Sequence, residues 1–555
     1  MVNPIAQWVD FGHFGIRSLT IIGMGIHWGI LQYVLGLPFA AFIAQLIYLK
    51  KKDKHYLKIA RTLIKATAIV FAVGAATGTL VEFGLIVVWP RVLTAVGQWL
   101  YFSMYSEVFA FIMEVLIIYL LYWAWNKIGD VPRTILTFFA FIGPWYSGAM
   151  ILAVNAYMQI PTGLLPDYNA TSGQWLYSLG YPKILLDVPK QYVSLLNITT
   201  LQSLGMTIKD PTTNGVLVYM PSKIINRLTY EALNGYTVNQ SILKAVLKTS
   251  YQHNPAILST PVLAIVNGIM TATVRHWGYM TILFESPDYA STFLHSIGAG
   301  LVVSGFTMMA GYGLRYIKAK DPDYKKYLEK GFKFSTIFSL ILIAYEGFIA
   351  GDQQARVIFR YQPEKFAAVE GTLKGFNSVS KMLHLEKMEA YLAYLNPKAH
   401  LPQYSQIPRL WGQLGPYGVG VNNYRPPLLV DWTYFAMVIS GFAIGIFAII
   451  VTLYIIARKT DLLTKGGHKV WIYLTIPAVI LAHFASFMGW ATTEIGRLPW
   501  VVYGVMTINT AASINMPPLW VDVVGNIFFF LIAGGVMYMA YRFLWKPSKI
   551  ERVEV

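Results

Sequence analysis

Long apolar runs alternate with short polar joints along this chain. The runs lie near 19–49, 59–89, 100–126, 133–158, 288–317, 332–351, 431–457, 469–491 and 518–546. Crossing the hydrocarbon core, about 30 Å thick, takes about 20 helical residues, so the pattern predicts an all-α membrane protein of nine transmembrane helices. Helices one to four occupy 1–158, five and six 288–351, and seven to nine, with a tail, 431–555. Between them stand two long segments, 159–287 and 352–430, each longer than a loop without a task. Within the first, 256–284 is apolar but carries Arg275 and His276. A full span there would invert every later joint, so it is expected to be re-entrant or peripheral.

Charge orients the pattern. The joints after spans one, three, five and seven read "KKDKHYLK", "NKIGDVPR", "RYIKAKDPDYKKYLEKGFK" and "ARKTDLLTKGGHK", and the tail reads "RFLWKPSKIERVEV". All five are basic, and cytoplasmic joints carry the excess of Lys and Arg. A multi-pass protein of the cell membrane is expected, with its N-terminus outside, its C-terminus cytoplasmic and both long segments external. The N-terminal stretch lacks the basic region and cleavage site of a signal peptide, so the first span is expected to direct insertion.

Composition agrees: 55% of the 555 residues are hydrophobic and only 13% are charged, more apolar surface than a soluble domain buries. There is no cysteine, which excludes disulfides and thiolate or iron–sulfur centres. The net charge of +17 is spread over the joints instead of forming one stripe, so no nucleic-acid partner is expected.

Ionisable residues within a bilayer are costly and mark function by default. They are Arg17 and His27 at span one, Glu82 in span two, Glu107 and Glu114 in span three, His295 in span five, Glu346 late in span six, His483 in span eight, and then Glu494 and Arg497. In the expected orientation His27, His295, Glu107, Met437 and the Glu494–Arg497 pair share the outer half. A lone membrane histidine serves equally well as a hydrogen-bonded structural residue, and one methionine of 20 is ordinary core filler. Histidine and methionine are nevertheless side chains that hold haem iron where cysteine is lacking.

The order of these residues resembles subunit I of cytochrome bd-type quinol oxidases. Arg17 precedes His27 by the family's ten positions, "ATGTLVEF" at Ala76–Phe83 resembles its "ATG…EF", and "NAYMQIP" at Asn155–Pro161 resembles "NGWMQNP". The strongest marker is the family's "W…EYGRQPW", matched by Trp490, Glu494 and "GRLPW" in the stretch "TTEIGRLPWVVYG". The family's quinol segment begins with Gly–Asp and carries a lysine and a glutamate five residues apart, as do Gly351–Asp352, Lys365 and Glu370. About three quarters of the chain is covered.

The resemblance implies a quinol oxidase reducing dioxygen to water, with three haems: a low-spin haem b, a high-spin haem b, and a haem d or a b-type haem in its place. It implies His27 as axial ligand of one high-spin haem, Glu494 at the other, and His295 with Met437 on the low-spin iron. Arg17 and Arg497 would balance propionates or the Glu494 carboxylate, beside Trp490. Lys365 and Glu370 would serve quinol, and Glu107 with Glu114 would relay protons from the cytoplasm. A second membrane subunit is implied as partner, with room for a small accessory one. The chain departs from the family in Phe435, where an arginine usually precedes the methionine by two, in Ser106 with Glu107 beside it, in Leu498, and in the unmatched 165–285 stretch. Glu107 and Glu114 still share a face, seven residues falling within about 20° of two turns.

Three other readings compete. A haem–copper oxidase needs clustered histidines, whereas His27, His295 and His483 lie on separate spans. A secondary transporter should show repeated halves with broken helices. A paralogue that keeps the scaffold but has lost a haem would accommodate Phe435 and the shifted glutamate. His483 has no role in the resemblance.

Overall fold

The computed structural model describes residues 14–160 except 89, 168–175, 183–189, 207–212, 215–221, 283–370 except 285, 384, 386–407, 425–498 except 458, 500–503, 506–507 and 519–545. All of the segment 256–284 but its last two residues lies outside the described residues, as do the side chains of Arg17, Glu82 and Glu370.

The chain folds as an all-α membrane protein. In order come α1 (Phe14–Lys51), α2 (Lys54–Val88), α3 (Pro90–Ala124), α4 (Asp130–Gln159), α5 (Tyr289–Tyr316) and α6 (Pro322–Tyr345). A π-turn, Glu346–Ala350, carries α6 into α7 (Gly351–Tyr361), followed by the short α8 (Pro363–Glu370) and α9 (Glu386–Tyr394). Then follow α10 (Leu429–Ile456), α11 (Val470–Tyr473), α12 (Thr475–Gly496) and α13 (Leu519–Trp545). Among the described residues, eight helices are long and apolar enough to cross a membrane, α6–α7 and α11–α12 each counting once. The described apolar run in α13, Val523–Ile532, is shorter.

Two features differ from the pattern predicted. Span six does not end at 351 but continues helical to Tyr361. The 159–287 segment holds strand pairs that its hydropathy does not announce: β1 (Tyr168–Asn169) with β2 (Gln174–Trp175), and β3 (Lys183–Pro189) and β4 (Thr207–Thr212) flanking β5 (Gly215–Pro221), all antiparallel. A last hairpin, β6 (Trp500–Val502) with β7 (Met506–Thr507), follows α12.

The four basic joints gather at one end of the bundle. Tyr48 donates to Asp130 across 3.1 Å, Tyr316 to Asp461 across 3.1 Å, and Lys330 pairs with Asp53. Burial opposes the charge on Asp53, but Lys330 and His55, whose Nδ1 lies 2.7 Å away, hold its carboxyl down at about 2. At this end α6 starts cleanly: the Asp321 carboxylate accepts from the Tyr324 backbone N–H at 2.6 Å and Pro322 opens the first turn.

The main core centres on α5, whose small residues admit its neighbours. Ser304 donates to the Gln32 carbonyl at 2.9 Å, and a Cβ on Gly36 would lie 2.3 Å from the Ser304 hydroxyl, so α1 and α5 meet backbone to backbone. A second core lies at the other end of the bundle, where Ile358, Phe359, Phe366, Ala367, Val369 and Val430 bury together. The Phe359 and Phe366 rings stack there, centroids 4.1 Å apart.

Candidate functional site

The stretch "GRLPW" begins at the last residue of α12, at the end opposite the basic joints. Glu494 and Arg497 sit one turn apart, i and i+3, so the Arg497 guanidinium reaches back to Glu494 Oε2. The other carboxylate oxygen, Oε1, accepts from Asn155 Nδ2 at 3.2 Å. Arg497 is 6% exposed, so the pair stands in a medium that strengthens it but makes either partner costly alone.

Lys365 joins them. Sequence position alone suggests a lysine on a polar outer loop, yet α8 is sealed within the second core and Lys365 is 1% exposed. Its ammonium donates to Gln159 Oε1 at 3.0 Å and to the Thr493 carbonyl at 3.3 Å. Gly496 lets its stem lie flat on α12, where a Cβ would come within 2.6 Å of Lys365 Cε. Burial pushes the Lys365 ammonium well below the ordinary lysine range; nearby Asp288 and Glu494 oppose that and Arg497 adds to it.

Two amides therefore organise this end. Asn155 and Gln159 occupy successive turns of α4, one holding Glu494 and the other Lys365 and Gln362. A further group gathers at the start of α5, where Asp288 is wholly buried and takes bonds from Gln354 at 3.0 Å and Ser291 at 3.2 Å. The hairpin after "GRLPW" closes over these groups: Tyr503 donates its N–H to the Met158 carbonyl at 2.9 Å and its hydroxyl to Glu364.

Each intramembrane histidine sets one ring nitrogen against a side chain of a neighbouring helix. His27 Nδ1 lies 3.0 Å from Thr77 Oγ1. That hydroxyl has carbonyl acceptors at Val73 and Gly74, so it receives the Nδ1 proton and leaves Nε2 a lone pair. Gly78 leaves space for the ring, since a Cβ there would lie 2.8 Å from His27 Cε1. His295 Nδ1 lies 2.9 Å from Glu346 Oε1. Met437 points at α12, its sulfur 2.8 Å from where a Cβ on Gly489 would be, and Thr492 donates to Thr433 nearby at 2.9 Å. Trp490 packs against Phe487, centroids 5.6 Å apart, beneath Glu494 on α12. His483 bonds the Tyr33 hydroxyl at 2.7 Å.

This donor set fits haem. A porphyrin supplies four equatorial nitrogens and asks the protein for only one or two axial donors; His27 offers Nε2, and His295 and Met437 offer an imidazole and a thioether. Among the described residues no three His, Asp or Glu side chains converge as a multidentate metal site. Glu114 is 4% exposed and lies over Gly143, where a Cβ would come within 2.7 Å of its Cγ; Glu107, nearer the start of α3, is half-buried. Neither belongs to the Glu494 cluster. Arg17 and Glu370 are placed only as helical backbone.

Asn155, Gln159, Asp288 and Thr77 were not singled out by residue type, whereas Glu346 counted among the intramembrane ionisable residues without a role. Two had a readable signal: Asn155 and Gln159 are amides four apart at the end of an otherwise apolar helix.

Residues 16–206 and 237–547 match the family described as cytochrome bd terminal oxidase subunit I. Among curated relatives, cytochrome bd ubiquinol oxidase subunit 1 of Bacillus subtilis is 23% identical over 522 residues, 91% of this chain and 86% of that one. A second Bacillus subtilis protein, named as a menaquinol oxidase subunit I of the cytochrome bd type, is 31% identical over 147 residues, 26% of this chain and 33% of that protein. The bd oxidase structure from Geobacillus thermodenitrificans superposes with a TM-score of 0.64 at 19% identity, covering 96% of this chain and 98% of that one.

Proposed function

Given that the chain belongs to the cytochrome bd terminal oxidase subunit I family, we propose that it is the haem-bearing subunit of a quinol oxidase of the cell membrane, oxidising quinol at the outer face and reducing dioxygen to water. Its partners are a second membrane subunit, quinol and dioxygen, with room for a small accessory subunit. The N-terminus lies outside and the C-terminus in the cytoplasm, the four basic joints and the tail facing inward.

One observation carries this reading: Lys365, from the segment assigned to quinol, is buried against the turn that bears Glu494. A residue assigned to quinol and one assigned to haem thereby share one hydrogen-bonded cluster, which supports the reading. His295 and Met437 would hold a low-spin haem b, His27 one high-spin haem and Glu494 the other, a haem d or a b-type haem in its place. Bound haem would supply one-electron chemistry and, where an iron position stays open, a place for dioxygen. Arg497 pairs with the Glu494 carboxylate and fixes its orientation, and Arg17 is assigned to charge balance at the same face. Trp490 walls the Glu494 site. Lys365 and Glu370 orient quinol hydroxyls and help take up their protons. Glu114 and Glu107, on one face of α3, relay protons from the cytoplasm, because protons consumed at the outer half must cross the membrane for turnover to charge it.

A scaffold that has lost a haem is the competing reading, and Phe435 is the residue that favours it. It is buried against Tyr434 in the second core, where a family member usually has arginine. A reduced-minus-oxidised spectrum of the purified protein decides between them. A low-spin b signal plus a d-type or high-spin b signal is expected, and His295→Ala should remove the low-spin signal alone. A spectrum without a high-spin centre, or a low-spin signal that survives His295→Ala, would sink the assignment.

A further inference from the structure

Glu346 has no place in the mechanism above, yet the chain builds a local irregularity around it. It opens the π-turn Glu346–Ala350, in which the Gly351 N–H bonds the Glu346 carbonyl five residues back. Such single wide turns within a helix concentrate at functional positions. The widened turn needs glycine at 351, where a Cβ would lie 2.7 Å from the Glu346 carbonyl oxygen. Its side chain crosses to α5 and lies in a notch left by Gly298: a Cβ there would be 2.0 Å from Oε2. That oxygen is buried without a hydrogen-bond partner. The other, Oε1, stands 2.9 Å from His295 Nδ1.

Two glycines and a wide turn thus hold one carboxylate against one edge of one imidazole. The His295 Cε1–Nδ1 edge also faces Gly351, 3.6 Å from a Cβ built there, and Nδ1 itself is fully buried although the side chain is 25% exposed. The accessible part of the ring is therefore away from Nδ1. A carboxylate on one ring nitrogen fixes the tautomer and plane of a histidine and makes the other nitrogen a stronger donor.

We propose that Glu346 is the positioning residue of the low-spin centre: its carboxylate, seated over Gly298 by the π-turn, orients His295 through Nδ1 and raises the basicity of Nε2. The inference rests on His295 being an iron ligand, the reading given above. A more basic imidazole favours the oxidised iron, so the carboxylate holds the midpoint potential of that centre down.

The test is a spectroelectrochemical titration of the purified oxidase bearing Glu346→Gln, a near-isostere that can keep the close approach to Nδ1 but carries no charge. The low-spin band should persist at full occupancy with its midpoint potential shifted upward. Gly298→Ala, which changes neither residue of the pair but fills the notch, should shift the potential in the same direction, and Glu346→Asp should restore part of the difference. An unchanged potential in Glu346→Gln overturns the proposal, as does loss of the low-spin band from Glu346→Gln while the chain remains in the membrane. His295→Ala separates the two levels: a low-spin signal that survives it removes the ligand assignment, whereas loss there beside an unmoved Glu346→Gln potential removes this inference alone.

Discussion

The two ends of the bundle handle charge differently. At the basic end, Lys330 and Asp53 are each about a quarter exposed (25% and 24%), and water is available to whichever partner is left alone. At the opposite end Arg497 and Lys365 are 6% and 1% exposed; Arg497 Nη2 is held by Glu494 and the Lys365 ammonium by Gln159 and the Thr493 carbonyl, while Arg497 Nε and Nη1 are buried without a hydrogen-bond partner among the described residues. Pairs of the first kind contribute little and are replaceable. Pairs of the second kind punish the loss of one member, because the survivor stays buried. On the proposed function, the contrast separates charges that orient the chain in the membrane from charges that serve its chemistry.

Arg497→Leu should open the difference widest. It strands Glu494 beside Lys365, and breaking a buried pair costs about 3–5 kcal/mol; with Glu494 29% exposed the lower end is expected. Thermal unfolding in detergent, with the high-spin haem signal followed in parallel, measures it. A melting curve like that of the unaltered protein would make this pair no different from Lys330–Asp53.

Glu114→Gln asks whether α3 connects the ends. Oxygen consumption per haem should fall about tenfold or more, the range supplied by a positioned proton-transfer group, while haem content stays close to normal. Normal turnover per haem would send the proton route elsewhere, with the second subunit the place to look.

Lys365→Met combined with Glu370→Gln should raise the quinol KM or lower turnover several-fold, about 1 kcal/mol of transition-state binding, with haem content unchanged. Unaltered quinol kinetics would leave the buried lysine a structural tie between α8 and α12.

The smallest effect belongs to Asp53→Asn, within about 1 kcal/mol, the range of surface pairs, and without change in turnover per haem. Its sign follows from a folded-state carboxyl held at about 2, below its unfolded value. The pair's contribution is present above the unfolded pKa and is lost as pH falls toward 2. Unaltered protein and Asp53→Asn should therefore converge in melting temperature at the acid end, and a difference that grows with acidity would reverse the assignment.

Hydropathy sufficed for eight of the nine expected spans, because a membrane helix is specified by length and apolarity; in the ninth the described apolar run, Val523–Ile532, is shorter. The basic joints do lie together at one end. Hydropathy failed at the end of span six, since Gly351–Asp352 looks like an exit while the chain continues as an amphipathic helix to Tyr361. It also failed for Lys365. The neighbouring Phe366, Ala367, Ala368 and Val369 spell an apolar turn, but only tertiary packing against Val430 and Phe359 decides that the lysine is enclosed with them. Glu494 and Arg497 were legible because their partnership is local. Glu346–His295 was not, because its partners are fifty-one residues apart and meet only through a notch at Gly298.

The wide turn at 346–350 also sets the phase of everything after it. Each helical residue advances the face by about 100°, so removing one residue from the turn would regularise the helix and rotate α7 by that amount. Gln354 would swing off Asp288 and Thr292, while Ile358 and Phe359 would leave the second core. A one-residue deletion between 347 and 350 is thus a helical frameshift, severe in its outcome without altering any side chain of the site.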